Sequence, residues 1–256
     1  MPVRRPALAC AAAPVPVPAP LRPLVHGAAA FGRPGAPRTG HRLLPLALTT
    51  VVLDFDTGDG VVTGPRGVAD VEERERWGHG ISVALTPAGV RALLGVRPAE
   101  LAGATVRLPG CPSLRHLTAH FSTPPPVSSA GAFRALETRA GDRDGLLDAA
   151  WRLLHRPGAR PAAVAERLHV SRRLLERVMR TGIGLSPGEI TRIARVQHAT
   201  GLLALGIRPA AAAARAGYSD QAHLTRRMRD LVGLTPGRLC AIVQDRVHVG
   251  RLPSPS

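Results

Sequence analysis

One stretch near the C-terminus constrains the fold of this chain more than any other. Residues 210–237 read AAAAARAGYSDQAHLTRRMRDLVGLTPG. Proline can open a helix and alanine favours one, so a short helix is predicted from Pro209 to Ala216. Gly217 then suits the left-handed position that ends a helix, and Ser219 can cap the helix that follows. The stretch therefore predicts a helix, a tight turn and a second helix.

The second helix of this stretch is predicted to be amphipathic. Leu224, Met228 and Leu231 recur at helical spacing and are expected to face the interior. The remaining sides are polar and carry Gln221, His223, Arg226, Arg227 and Arg229. This is the layout of a helix-turn-helix, whose second helix offers polar side chains to the major groove of DNA.

The same motif occurs twice in the chain. Segments 161–187 and 209–236 are each predicted to contain a proline-opened, alanine-rich helix, a turn ending in serine, and an arginine-rich helix. They close with Gly-Leu-Ser-Pro at 184–187 and Gly-Leu-Thr-Pro at 233–236. Between them, Ser-Pro-Gly-Glu at 186–189 predicts a capping box that begins a long connecting helix. Two recognition helices held in one chain could enter successive major-groove faces about 34 Å apart.

The charge of the chain is strongly basic and unevenly distributed. The net charge is +16 over 256 residues, and every one of the 34 cationic residues is arginine. From residue 146 to the end there are 18 arginines against 7 acidic residues, a net +11; the preceding part has a net +5. A compact basic half points to a polyanion, most simply nucleic acid. A GC-rich coding bias explains the missing lysine, but not this asymmetry.

The C-terminal part resembles the DNA-binding domain of AraC/XylS-type transcription regulators. The matching stretches are SRRLLERVMRTGIGLSP at 171–187 and GYSDQAHLTRRMRDLVGLTP at 217–236. The resemblance implies a seven-helix domain in which a long helix bridges two helix-turn-helix units. Core positions that are aromatic in the family are apolar but not aromatic here, so the packing is expected to survive. These positions are Met179, Leu224 and Met228.

Ten residues are the candidates for DNA contact. Arginine can donate two hydrogen bonds to guanine, and glutamine can pair with adenine; the resemblance implies base contact for Arg226. Glu176 could accept from a cytosine amine or merely orient an arginine. Arg172, Arg192 and Arg195 suit phosphates or internal pairing. The full set is Arg172, Arg173, Glu176, Arg177, Arg192, Arg195, Gln221, His223, Arg226 and Arg227.

The sequence pattern of the N-terminal region is typical of a β-rich domain with short helices. The run at 46–64 predicts a strand, a turn and a strand, and 80–86 predicts a further strand. Residues 87–94 predict a short helix closed by glycine, and 98–101 a further helical turn. The charge run at 72–75 is expected to be a solvated loop.

This region is also similar to the sensor domain of one AraC-type subgroup. The matching pieces are HRLLPLALTTVVLDFDTGD and GISVALTPAGVRALLGVRPAEL. The resemblance implies a cupin-like β-domain that responds to an effector. The predicted fold class is therefore α+β multidomain: a β-rich, cupin-like N-terminal domain followed by an all-α domain with two helix-turn-helix units. The predicted boundaries are a disordered Ala/Pro-rich arm at 1–21, a sensor or dimerisation domain at 22–122, a linker at 123–145, the DNA-binding domain at 146–246 and a disordered tail at 247–256.

No catalytic or metal-binding pattern stands out in the sequence. His116 and His120 have the i, i+4 spacing that can suit a metal on a helix, but the other ligands of such sites are absent. Three acidic residues follow a predicted strand and could hold a cation, although such residues usually form turns. They are Asp54, Asp56 and Asp59. We predict no cofactor, no metal and no enzymatic activity.

The sequence thus predicts a cytoplasmic transcription regulator that binds double-stranded DNA. Three scattered cysteines suggest no disulfide framework, and no run of ~18 apolar residues could span a membrane. Candidate partners besides DNA are a small-molecule effector, RNA polymerase and a second copy of the chain. Two alternatives stay open at this point. One is an enzyme with a cupin-like catalytic domain and accessory DNA binding, and the other is a dimerising regulator without an effector.

Overall fold

The computed structural model describes most of both halves of the chain. The described residues are 12–32, 39–43, 46–57, 59–68, 70–108 and 142–238. Within them, an antiparallel β-rich part precedes an all-helical part, which confirms the predicted fold class. The predicted tail at 247–256 and the histidine pair at 116 and 120 lie outside the described residues, as does most of the predicted linker.

The N-terminal part consists of two antiparallel sheets. Its strands are β1 (Ala12–Val15), β2 (Val25–Phe31), β3 (Thr39–Leu43), β4 (Thr49–Asp54), β5 (Gly60–Thr63), β6 (Asp70–Trp77), β7 (Gly80–Leu85) and β8 (Thr105–Leu108). Six strands form one sheet in the order β1-β2-β7-β4-β5-β8, and β3 pairs with β6. Helix α1 (Pro87–Leu94) follows β7, and 3-10 turns occupy Ala19–Leu21 and Pro98–Leu101.

The hairpin of β4 and β5 forms where the sequence predicted a strand, a turn and a strand. The strands pair from Thr50 with Thr63 to Leu53 with Gly60. Asp54 closes the turn, because its carboxylate accepts hydrogen bonds from the backbone amides of Asp56, Thr57 and Gly78. Asp54 therefore serves as a turn former, which is the plainer of the two interpretations of the acidic residues.

Two expectations for this part are corrected by the structure. Residues 12–21 were assigned to a disordered arm, yet β1 pairs with β2 and Leu21 is fully buried in the core. An edge strand tolerates proline because one side of its backbone needs no partner. The charge run at 72–75 lies in β6 rather than in a loop, because pairing with β3 outweighs the low strand preference of glutamate and arginine.

Six helices make up the described C-terminal part, and a further helical turn begins at residue 236. They are α2 (Asp142–Leu154), α3 (Pro161–Arg167), α4 (Arg172–Ile183), α5 (Pro187–Ala204), α6 (Pro209–Arg215) and α7 (Gln221–Val232). The predicted capping box begins α5: the Ser186 hydroxyl accepts from the amide of Glu189, and the Glu189 carboxylate accepts from the amide of Ser186. The boundary predicted at 146 falls inside α2.

The two helix-turn-helix units have separate cores. The first core contains buried residues of α2, α3, α4 and the start of α5, and two residues of the β-rich part join it, Ala47 and Leu48. The second core contains the rest of α5, α6 and α7, and its described members include no residue of the β-rich part. Helix α5 contributes to both cores, with Ile190 and Ile193 in the first and Val196 and Leu203 in the second.

The β-rich part is attached to the first unit by several different interactions. The indole nitrogen of Trp151 in α2 donates to the Ala47 carbonyl at 2.9 Å, and this hydrogen bond is buried. Arg91 of α1 pairs with Asp148 of α2, with 2.8 Å between Nη2 and Oδ2. Burial raises the pKa of Asp148, and the Arg91 charge opposes that shift. The attachment therefore combines apolar packing with a buried hydrogen bond and a half-buried ion pair.

A cluster of three rings lies at the same junction. His155 stacks on Trp151 with 4.9 Å between ring centroids, and His26 of β2 meets both rings edge-on. Burial, with a smaller contribution from the neighbouring His26, lowers the pKa of His155 to about 4. The junction therefore favours an uncharged His155.

In the turn of the first unit, a non-glycine residue has the backbone conformation that a glycine has in the turn of the second unit. His169 has a φ of 53° and is the only non-glycine residue with a positive φ in the described part of the chain. The residue 48 positions later in the repeat is Gly217, with φ 76°. A left-handed conformation costs a residue with a side chain about 1–2 kcal/mol, so the first turn stores strain that the second avoids.

We expect acid to weaken the junction through His155. Because the pKa of His155 is lower in the folded protein than in the unfolded chain, the unfolded chain binds the proton first. The free energy of unfolding should therefore fall as the pH drops from about 6.5 to about 4, by up to about 3 kcal/mol. Urea unfolding of the wild type and His155→Phe at several pH values measures this. The variant should lose less stability, whereas parallel pH curves would contradict the prediction.

We expect His169→Gly to stabilise the protein. Glycine adopts the positive φ without steric cost, while its greater freedom in the unfolded chain offsets part of the gain. The net change in the free energy of unfolding should be about +0.5–1 kcal/mol, measured by urea unfolding. The matched control is His169→Ala, which keeps a Cβ at this position and should gain nothing. If the glycine variant were less stable than the alanine variant, the inferred backbone strain at residue 169 would be contradicted.

Candidate nucleic-acid interface

The two candidate recognition helices, α4 and α7, are built alike. Each has 12 residues and ends at a left-handed glycine, Gly184 in the first unit and Gly233 in the second. Their fourth and eighth residues are Leu and Met in both helices, and all four side chains are buried. The two helices can therefore be compared residue by residue from their first positions.

That comparison places the predicted arginines on the exposed surface. Arg177 and Arg226 are both the sixth residue of their helix, and both are exposed. Arg172 and Arg173 are exposed at the start of α4, and Gln221 at the start of α7. These exposures are measured with the β-rich part in place, so that part does not cover the N-terminal half of α4.

The C-terminal end of α4, in contrast, faces the β-rich part. A Cβ built on Gly184 would lie 2.6 Å from the Ala102 Cβ, just after the second 3-10 turn. The first recognition helix therefore has one end against the β-rich part and the other end exposed to solvent.

Glu176 is engaged within its own helix. Its carboxylate accepts from Arg180 Nε at 2.7 Å, an i, i+4 pair on the exposed surface. Arg180 also lies 4.0 Å from the Glu189 carboxylate. Glu176 is therefore engaged with Arg180, and both roles considered for it stay predictions.

Arg192 and Arg195, both on α5, differ in their surroundings. Arg192 is exposed, which leaves its guanidinium available to a phosphate. The Arg195 guanidinium lies over the Tyr218 ring, with 5.6 Å between Cζ and the ring centroid. Burial raises the pKa of Tyr218, opposed by the charges of Arg195 and Arg227. Arg195 thus helps to attach α5 to the turn between α6 and α7, which contains Tyr218.

The start of α7 differs from the prediction. Asp220, not Ser219, is the N-cap, and its Oδ1 accepts from the backbone amide of His223 at 2.6 Å. The reason is one extra residue: five residues separate α6 from α7, whereas four separate α3 from α4. The N-cap is therefore Asp220, the last residue of the turn, rather than Ser219. The Ser219 hydroxyl instead donates to Oδ2 of Asp220 at 3.0 Å.

Two residues at this surface are not among the ten candidates from the sequence. Asp220 is one, and the hydrogen bonds from His223 and Ser219 lower the pKa of its carboxyl, with Arg226 adding to the effect. Thr225 is the other: it is the fifth residue of α7, as Glu176 is of α4, and its hydroxyl donates to the Gln221 carbonyl. Its spacing of four from Gln221 places it on the same helix face and could have revealed it.

The described residues contain no group of three or more side chains suited to a metal ion. In the same part of the chain, no helix is both long enough and apolar enough to cross a membrane.

Comparison with known proteins assigns the helical region. A family profile described as "Helix-turn-helix domain" matches residues 164–241, which include both recognition helices and α5. No curated protein gives a significant match to the sequence.

Three solved structures show a distant similarity. The C-terminal domain of AraT, a response regulator from Geobacillus stearothermophilus, is 18% identical with a TM-score of 0.34, and the match covers 46% of this chain and 94% of that one. ToxT from Vibrio cholerae O395 is 10% identical with a TM-score of 0.42, covering 79% and 88%. Unsaturated fatty acid-bound wild-type ToxT from Vibrio cholerae strain SCE256 is 11% identical with a TM-score of 0.41, covering 94% and 98%.

Similarities this low carry no argument about function. The assignment instead follows from the family profile and from the paired architecture of the helices. Residues 164–241 are an AraC-type helix-turn-helix domain, a DNA-binding domain of transcription regulators.

Proposed function

We propose that this protein is a sequence-specific transcription regulator that reads one DNA duplex with both helix-turn-helix units at once. One observation carries the proposal: two recognition helices of equal length and equal core pattern flank a single helix, and both expose arginine at the same register position. The net +11 charge from residue 146 onward adds attraction to the phosphate backbone.

The length of α5 is compatible with this arrangement. Its 18 residues correspond to about 27 Å at 1.5 Å per residue. Successive major-groove faces on one side of a duplex lie about 34 Å apart. Because α4 packs with the first half of α5 and α7 with its second half, a spacing near one helical turn is compatible with this arrangement.

The candidate residues divide into base readers and supports. We assign base contact to Arg173 and Arg177 in the first unit, and to Gln221 and Arg226 in the second. Arg172 and Arg192 are assigned to phosphates, which fix register without reading sequence. Three further candidates are assigned as supports or secondary contacts: Glu176, Arg195 and Arg227.

We infer further that the β-rich part regulates the first unit. It shares a core with that unit and holds Trp151 through the hydrogen bond to Ala47. The space between Leu48, Trp151 and Ile183 is too small for even a water-sized molecule, whereas typical ligand sites have ~300–1,000 Å³. An effector acting here would have to favour a more open junction, and so shift the population of states. RNA polymerase and a second copy of the chain remain predicted partners.

Selection of bound duplexes from a random pool tests the two-unit reading. The full chain should enrich a bipartite site whose two segments lie about one helical turn, 10–10.5 base pairs, apart. A site with a single segment would contradict simultaneous reading, and no enrichment at moderate salt would contradict sequence-specific binding altogether.

We expect Arg226→Ala to weaken binding to the selected site by about 5- to 150-fold, equivalent to about 1–3 kcal/mol, with the loss confined to one base position. Arg177→Ala should produce a comparable loss at a position in the other segment. Arg192→Ala should weaken specific and random duplex alike and reduce the salt dependence of binding. Fluorescence anisotropy at several salt concentrations measures all three.

The matched control is Arg22→Ala. Arg22 is an exposed arginine that precedes β2 in the β-rich part, so the variant removes the same charge outside the helix-turn-helix units. It should leave the affinity for the selected site within about twofold of the wild type. Equal losses for Arg226→Ala on specific and random duplex would contradict base reading by that residue.

A further inference from the structure

A short chain of hydrogen bonds fixes the side chains at the start of α7. Asp220 uses both carboxylate oxygens: Oδ1 accepts from the His223 amide at 2.6 Å, and Oδ2 accepts from the Ser219 hydroxyl at 3.0 Å. The Ser219 oxygen also lies 3.1 Å from Nδ1 of the His223 ring. The carboxylate, the hydroxyl and the imidazole are thus connected in series.

The chemistry of the three groups determines which group donates and which accepts in each hydrogen bond. The pKa of Asp220 is lowered by the backbone and hydroxyl hydrogen bonds, so its carboxyl is ionised and can only accept. The Ser219 hydroxyl has a single proton and donates it to Asp220. The same oxygen can therefore only accept from His223, and Nδ1 of the ring must be the donor.

This order of donors and acceptors determines the tautomer of the neutral imidazole. With its proton on Nδ1, the ring has a lone pair on Nε2, which is then a hydrogen-bond acceptor. The ring is also held by Tyr218, whose ring it meets edge-on with 5.2 Å between centroids. No described residue provides a hydrogen bond to Nε2, and His223 is only half-buried.

The position of His223 lies within the segment that a recognition helix presents to bases. It is the third residue of α7, between Gln221 and Arg226, and N-terminal residues of recognition helices contact base edges. Its counterpart in α4 is Leu174, so the first unit has no equivalent. The extra turn residue of the second unit supplies the Ser219–Asp220 pair that makes the chain possible.

We propose that His223 reads one base as a hydrogen-bond acceptor, and that Ser219 and Asp220 select this role by fixing its tautomer. In the major groove the exocyclic amines of adenine and cytosine donate, whereas guanine and thymine present O6 or O4, which accept. His223 therefore selects adenine or cytosine on the contacted strand. This inference rests on the proposed DNA-binding function and names a specificity determinant within it.

The variant Asp220→Asn exchanges the donor and acceptor roles along this series of hydrogen bonds, with little change in side-chain shape. Asparagine is as good an N-cap as aspartate, so its Oδ1 continues to accept from the His223 amide. Its Nδ2 then replaces Oδ2 and donates to Ser219. The Ser219 hydroxyl is left to donate to Nδ1 of His223, which moves the imidazole proton to Nε2 and converts the acceptor into a donor.

Two measurements test the proposal. Nitrogen-15 NMR of the free, full-length protein in alkaline buffer reports the tautomer of His223 without any DNA. We expect the Nδ1–H form in the wild type and the Nε2–H form in Asp220→Asn. Selection of duplexes from a random pool should then show one position where the wild type prefers adenine or cytosine by at least about fivefold, and where Asp220→Asn prefers guanine or thymine.

Ser219→Ala is the matched control, because it keeps Asp220 as the cap but removes the connecting hydroxyl. Its preference between the two classes of base at that position should fall below about twofold, while the positions assigned to Gln221 and Arg226 keep theirs. A structural role of His223 alone would leave the base preference of all three proteins unchanged.

The outcomes separate this inference from the function on which it rests. An Nε2–H tautomer in the wild type overturns the proposal, whatever the DNA result. Enriched sites without an exchange of base preference in Asp220→Asn also overturn it, while leaving two-unit DNA binding intact. Failure of the wild type itself to enrich any site would contradict the proposed function, and the reading by His223 with it.

Discussion

The buried contact of Trp151 with the β-rich part is the interaction on which the architecture depends. The indole lies in the core of the first helix-turn-helix unit and donates to a carbonyl 104 residues earlier in the chain. Removing either partner would leave a buried polar group without a hydrogen bond, at a cost of about 1–3 kcal/mol. Because the same side chain packs in the core and bonds across the junction, a change on one side of the junction is felt on the other.

The second unit stands in a different relation to the β-rich part. Its described core is built from α5, α6, α7 and the residues that directly follow α6 and α7, and the Arg195–Tyr218 contact attaches its turn to α5. Helix α5 is anchored at its start by the Ser186–Glu189 capping box. Hydrogen bonds from Ser186 and the charges of Arg180 and Arg192 lower the pKa of Glu189, which keeps that cap ionised near neutral pH.

The sequence predicted the parts of the molecule that depend on local interactions. Helices α3 to α7 follow from apolar spacing, with proline at the first position of α3, α5 and α6 and a left-handed glycine at the end of α4 and α7. The hairpin of β4 and β5 follows from its β-branched strands and turn residues. The exposed arginines of both recognition helices follow from the same periodicity.

Features that depend on distant partners were not predictable in this way. Strand β1 forms only because β2 offers it an edge, and β6 only because β3 pairs with it. The contact of Trp151 with Ala47 has no signature in either segment. At Ser219 and Asp220 two adjacent residues can both cap a helix, and the five-residue turn places the cap at Asp220.

The unequal attachment of the two units gives α5 the mechanical role of a lever. The β-rich part grips the near end of that helix through the first unit, while the far end carries α7. Over a length of about 27 Å, a rotation of about 10° at the junction would displace the far end by roughly 5 Å. That exceeds the rise of one base pair, about 3.4 Å. If the β-rich part regulates the first unit as proposed, a small adjustment beside Trp151 would be sufficient to move the second recognition helix out of register with a duplex that the first still holds.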